Sequence, residues 1–181
     1  MENKEVENRI RETCCVFGHR TIKDSKKLRN KLSETFEHLI SYYGINRFLL
    51  GNNSEFDDLC YEVLTDLMED YPNIKRIYVR CNSPELSEKQ KRFFSSKYDG
   101  TYYPKRVHNA GRGLYIERNY DMIDNSYVCV VYFFDDYQPH KQQKSGTSIA
   151  YKYARRKQKE IINLAKRSLI NKIIYKIIGK R

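Results

Sequence analysis

Tryptophan is absent from this chain, although it carries 16 tyrosines and 8 phenylalanines. Cysteine is sparse and odd in number: Cys14, Cys15, Cys60, Cys81 and Cys129, with no Cys-x-x-Cys among them. An odd set without that spacing speaks against a disulfide framework and for buried, reduced thiols. The four histidines form no zinc-like pair with each other or with the cysteines, so no metal site is expected. No stretch approaches the ~18 consecutive apolar residues of a membrane span. The start, Met1-Glu2-Asn3-Lys4-Glu5, is acidic and polar, unlike a signal peptide, and a cytoplasmic location is expected.

The 181 residues suit a single domain, long enough to bury roughly two-thirds of the surface of its unfolded chain. The net charge of +11 is unevenly placed. From Lys152 to the end there are eleven Lys/Arg against one acid, Glu160, whereas residues 1–151 hold 23 basic and 22 acidic residues. The body is close to neutral, and the basicity belongs to one C-terminal segment.

The stretch Thr13-Cys14-Cys15-Val16-Phe17-Gly18-His19-Arg20 organises the rest. An unalternating apolar run of about five residues closed by glycine reads as a central strand of a parallel sheet. A glycine there lets the backbone turn sharply, and His19 and Arg20 then stand at the carboxyl end of the strand, where open α/β sheets bind ligands. Residues 1–12 are charged and unpatterned and read as a poorly ordered arm or a loose first turn. Leu28, Leu32, Phe36, Leu39 and Ile40 recur at helical spacing up to Gly44. Arg47 to Leu50 reads as a strand, Phe56 onward as a helix, and Ile74 to Val79 as a third strand.

Ser83-Pro84-Glu85 resembles a helix start. Tyr98 to Gly113 lacks a period and reads as a binding loop or lid. A helix over Leu114 to Ser126 and a strand over Tyr127 to Phe134 follow, then a polar loop from Gln138 to Lys144. Ser145-Gly146-Thr147 opens a helix to Lys157, and Glu160 to Leu164 is a last strand. Such alternation predicts an α/β fold: a Rossmann-like doubly wound, mainly parallel sheet with helices on both faces over residues 13–164. Beyond it, residues 165–181 carry two adjacent i, i+4 stripes, Leu169/Ile173/Ile177 and Ile170/Ile174/Ile178, among six Lys/Arg. This is a basic amphipathic helix, expected to cover the domain or a second copy of the chain. An anionic membrane or nucleic acid is the alternative partner.

Four polar clusters fall at strand ends, at the helix starts that follow, or on a neighbouring helix: Gly18, His19 and Arg20; Gly51, Asn52, Glu55 and Asp57; Arg118 and Asn119, on the helix before the fourth strand; and Ser145, Gly146, Thr147 and Ser148. A helix N-terminus presents unpaired N–H groups and partial positive charge, which favours anions. Singly, each cluster has an ordinary reading. His19 could bond a loop group, Arg118 a surface carboxylate, Asp57 could be a first-turn acid, and Ser145 a plain cap. Their convergence on one sheet edge is what suggests a ligand.

In order and spacing, the blocks CCVFGHR (14–20), FLLGNNSEFD (48–57), YPNIKRIYV (71–79), RNYDMIDNSYVCVVYFFD (118–135) and KSGTSIAYKYARRKQKEIINL (144–164) resemble the YspA/YpsA-like branch of the SLOG superfamily. That superfamily also holds the LOG-type phosphoribohydrolases and the DprA-like DNA-processing proteins. The resemblance implies a Rossmann-type domain that binds a nucleotide or nucleotide-derived ligand at the strand ends. It maps the Gly-His-Arg turn onto Gly18, His19 and Arg20, and the Gly-rich loop onto Gly51, Phe56 and Asp57. The Arg-Asn block falls on Arg118 and Asn119, with Asp124 on the same helix, and the phosphate turn on Ser145, Gly146 and Thr147. Asn52 and Glu55 replace two of the family's glycines. Ala150 stands where the LOG enzymes carry a catalytic Glu, so a LOG-like hydrolysis would need Asp57 or Glu55 as its acid.

Three functions follow as expectations. The first is a sensor or sequestering module for a nucleotide-type ligand, with no other cofactor. The alternative is a hydrolase of a nucleotide N-glycosidic or phosphate bond, using Asp57 or Glu55. The third is a nucleic-acid binder through the basic tail, against which the near-neutral body counts.

Overall fold

The computed structural model describes residues 2–23, 25–51, 54–108, 111–134 and 145–165. Asn52, the 138–144 loop and the 166–181 segment lie outside the described residues. Six strands, β1 (Thr13–Gly18), β2 (Arg47–Leu50), β3 (Lys75–Val79), β4 (Gly100–Tyr102), β5 (Val128–Tyr132) and β6 (Glu160–Asn163), form one sheet in the order β4-β3-β2-β1-β5-β6. Every pairing is parallel. Helices alternate with them: α1 (Glu2–Arg11), α2 (Ser25–Tyr43), α3 (Glu55–Leu67), α4 (Glu88–Lys97), α5 (Arg112–Asp124) and α6 (Gly146–Arg156).

Strand direction alternates the side chains between two cores. Cys14, Val16, Phe48 and Leu50 pack with Leu32 and Phe36 of α2 and Phe56, Cys60 and Leu64 of α3. Cys15, Phe17, Leu49, Ile77 and Cys129 face the other way, onto Met122 and Ile123 of α5 and Ala150 and Ala154 of α6. Both faces of β1 and β5 are buried throughout, which is why their sequences run apolar without alternation. The order reverses between β1 and β5, the position at which doubly wound sheets open a crevice at the carboxyl edge.

Three stretches differ from the sequence reading. Residues 2–11, expected as a poorly ordered arm or a loose first turn, form a regular helix, and Thr13 Oγ1 donates to the carbonyl of Arg9. Asn46 and Arg47 both donate their N–H to the carbonyl of Glu12, so the chain that joins this helix to β1 is fixed against β2. The helix expected at Ser83-Pro84-Glu85 begins instead at Glu88, behind a reciprocal capping box between Ser87 and Gln90. Arg80 Nη1 donates to the carbonyls of Ser83 and Pro84, holding that earlier stretch as a turn. Finally, the segment read as a loop contains β4, which pairs with β3 from Gly100 to Tyr102. Three residues led by a glycine carry no apolar signature, and the strand exists through its pairing.

Candidate functional site at the carboxyl edge

The ends of β1 and β2 and the first turns of α3 and α6 are bound to one another. Gly18 closes β1 against Phe56 of α3. A Cβ at Gly18 would lie 2.5 Å from the Phe56 ring, so the glycine is required by packing at this point. That ring in turn stacks on Tyr132, with centroids 5.7 Å apart. Thr147 Oγ1 donates to the carbonyl of Gly18 at 2.8 Å, anchoring α6 to β1. Beyond Gly18, the carbonyl of Arg20 accepts the Glu55 N–H at 2.8 Å. Glu55 Oε2 accepts the Ile22 N–H at 2.9 Å and so clips the turn after β1 onto α3.

His19 is 1% exposed. Its backbone N–H donates to the Tyr132 carbonyl, and its Nε2 accepts the Phe134 N–H at 3.0 Å. An accepting Nε2 carries no proton, so the neutral ring is held as the Nδ1–H tautomer. The histidine is thus a strut between the ends of β1 and β5, and Arg20 beside it is exposed.

The two helix starts differ in what they leave available. At α3, Ser54 caps Asp57, Glu55 is bound by Arg20, and Glu55, Asp57 and Asp58 put three carboxylates into the first turn. Asp57 is 5% exposed. At α6, Ser145 caps Ser148 at 3.0 Å and the first turn holds no acid. Among the described residues the Gly146 and Thr147 N–H groups have no acceptor. A Cβ at Gly146 would meet nothing within 4 Å, so the protein itself does not demand a glycine there. Electrostatically, α6 suits an anion and α3 does not.

Arg118 supplies the charge. It projects from α5 to the end of β2, where a Cβ on Gly51 would lie 2.8 Å from Nη2 and 3.0 Å from Cζ and Nη1. The residue is 4% exposed. Nε and Nη2 donate to Asn119 Oδ1 at 3.3 and 3.0 Å. Among the described residues, Nη1 has no hydrogen-bond partner and no carboxylate pairs with the guanidinium. Tyr115 lies under it, 5.7 Å from ring centroid to Cζ. Just past β3, burial pushes the Cys81 thiol up, and the nearby Arg118 charge pulls the other way.

All four sequence clusters therefore reach the same edge, although their members divide into fastenings and available groups. Gly18, His19, Glu55 and Thr147 hold the edge together, while among the described residues Arg118 Nη1 and the Gly146 and Thr147 N–H groups have no hydrogen-bond partner. Asp124, on the same helix as Arg118, faces away to Arg106, Tyr153 and Lys157. Ala150 is 1% exposed within the core under α6, so a Glu at that position would be buried among apolar groups. The sequence marks Cys81 only as a buried thiol, because a lone cysteine after a strand carries no sign that it neighbours Arg118. Among the described residues no cluster of three or more His, Cys, Asp or Glu could hold a metal ion, and no helix is long and apolar enough to cross a membrane.

An all-parallel sheet wound in both directions from β1, with helices on both faces, defines a Rossmann-type domain. No protein-family model matches the chain, and no curated protein matches it by sequence. The fold is that of the DNA processing protein A structures. DprA from Streptococcus pneumoniae superimposes with a TM-score of 0.55 at 13% identity, over 93% of this chain and 56% of that one. The protein from Helicobacter pylori, whose structure concerns its single-stranded DNA binding mode, gives 0.56 at 16%, over 95% of this chain and 75% of that one. This chain thus spans little more than half the length of the streptococcal protein.

Proposed function

We propose that the carboxyl edge binds a nucleotide or nucleotide-derived ligand, with its phosphate on Arg118 and on the N–H groups of Gly146 and Thr147. The observation that carries this reading is the buried Arg118 guanidinium, which among the described residues has no carboxylate partner. A buried cation lacking a counter-ion is costly, and the arrangement is stable when an anion completes it. The glycine at Gly51 lets a charged group approach from the end of β2. The position of Ala150 and the use of Glu55 as a clip support a binding module, a sensor or sequestering domain of the YspA/YpsA-like kind, over a LOG-like hydrolase.

One observation favours a second reading. Proteins of this fold include one described for its single-stranded DNA binding, and residues 152–181 carry eleven basic residues against one acid. In that reading the phosphate at Arg118 belongs to a DNA strand, and the basic segment follows its backbone.

Titration calorimetry of the full chain with adenosine and guanosine phosphates, and separately with an oligothymidylate, distinguishes the two. Arg118→Gln should weaken whichever ligand binds by about ten- to a hundredfold, the scale of a hydrogen bond to a charged group. Strand binding would fall steeply with salt because counterions are released. A folded Arg118→Gln protein with unchanged affinity for both ligand types would overturn the assignment.

A further inference from the structure

At the opposite, amino edge of the sheet lies a cavity of about 490 Å³. Its walls include the first residues of four adjacent strands, Thr13, Arg47, Lys75 and Gly100, with Arg9 of α1 beside them. Arg47 pairs in register with Thr13 on one side and Lys75 on the other, so the two cations stand directly opposite each other on one face of the sheet. Leu49 and Ile77, one step further along the same strands, form the floor. Like charges in register repel.

The neighbouring acids do little to relieve this. Asp99, also at the cavity, is bound by the backbone N–H, Nε and Nη2 of Arg76. Glu12, which draws the Arg47 pKa upward, accepts from Asn46 Nδ2. Among the described residues, the side chains of Arg9, Arg47 and Lys75 make no ion pair, and Arg47 Nε is buried without a hydrogen-bond partner. Burial, and after it the charge of Arg9, lowers the Arg47 pKa from its ordinary value, as expected of a crowded cation.

We infer that this cavity is a second anion site, which takes a small organic phosphate on Arg9, Arg47 and Lys75. The volume lies within the range of small-molecule sites and far exceeds one phosphate ion, so the phosphate carries an organic body. That body rests on Leu49 and Ile77 and uses the space left by the missing side chain of Gly100. The site is separate from the Arg118 edge and independent of what binds there.

The test uses two probes on the isotopically labelled full chain, phenyl phosphate and inorganic phosphate, with amide chemical shifts as the readout. Phenyl phosphate should move the Thr13, Arg47, Lys75 and Gly100 amides saturably, and bind about tenfold more tightly than inorganic phosphate. Arg47→Met and Lys75→Met should each weaken it by about tenfold, the scale of one charged hydrogen bond. Each should also leave the unliganded protein melting no lower than wild type, because a like-charge contact is relieved. Lys75 is exposed, so that variant remains informative if Arg47→Met folds poorly. Arg118→Gln should leave these shifts in place. Equal affinity for the two probes would remove the organic body from the proposal. Absence of saturable shifts at these four amides, or an affinity for phenyl phosphate unchanged in Lys75→Met, would overturn the site.

Discussion

The hydroxyl of Thr147 at the start of α6 donates to the carbonyl of Gly18 at the end of β1, at 2.8 Å. This bond crosses from α6 to the strand at the point where strand order reverses. A hydroxyl expected for a ligand is therefore committed to the fold, and the phosphate contact proposed for Thr147 is through its backbone N–H. Thr147→Ala should lower stability by about 1 kcal/mol, the worth of one net hydrogen bond, and Thr147→Ser should restore most of it. Urea denaturation reads both, and an unchanged midpoint in the alanine variant would show that the bond contributes nothing.

Gly18 and Gly51 should respond differently to alanine. At Gly18 the new methyl meets the Phe56 ring at 2.5 Å, and that ring is buried and stacked on Tyr132. Overpacking of this kind costs about 1–3 kcal/mol. At Gly51 the obstacle is the guanidinium of Arg118, the far end of a flexible side chain. Gly51→Ala should leave the denaturation midpoint closer to wild type than Gly18→Ala does, while displacing Arg118 and weakening anion binding at the carboxyl edge. Equal midpoints for the two variants would contradict this packing.

Asp99 should make stability depend on acid pH. Burial raises its carboxyl pKa, but hydrogen bonds from the Arg76 side chain and backbone, together with the Arg76 charge, outweigh that and hold it below the ordinary value. A depressed folded pKa means stability that is present above the unfolded value of about 3.9 and is lost as pH falls through the folded one. Asp99→Asn should thus be less stable than wild type at neutral pH, with the gap closing as pH falls below the unfolded value of about 3.9 and through the lower folded one. A gap that stays constant from neutral to acid would assign the loss to something other than this ion pair.

Residues 166–181 carry a prediction on sequence grounds alone. If their six aliphatic side chains cover the domain or a second copy, deletion after Ala165 removes contacts worth ~1.5–3 kcal/mol for each fully buried residue. The shortened chain should then aggregate or melt far below the full one. A soluble, monomeric truncation melting within a few degrees of the parent would instead mark the segment as an accessory basic arm.

Much of the fold is legible in local pattern. The apolar runs of β1 and β5 read as central strands because both faces of each are buried, and α2 shows its inward face through Leu28, Leu32, Phe36 and Leu39. Helix α1 and strand β4 were illegible for opposite reasons. The first is a charged helix without a strong apolar stripe, fixed to the sheet through Arg9 and the backbone around Glu12. The second has only three residues and takes its form from β3.

By itself the sequence determined that strands and helices alternate, that the sheet is parallel and buried on both faces, and that three polar clusters stand where strands end or the next helix starts, with a fourth, Arg118 and Asn119, on a helix. These features are written locally, in period, β-branching and glycine placement. Which member of each cluster is available was decided only by the tertiary structure. Hydrogen bonds between residues more than a hundred positions apart commit His19 to Phe134 and Thr147 to Gly18, while Arg118 lies buried beside Gly51 with no carboxylate partner among the described residues. The row of Thr13, Arg47 and Lys75 was likewise invisible in the chain. Residues 34 and 28 positions apart become neighbours only through the register of parallel strands, and no local pattern encodes that register.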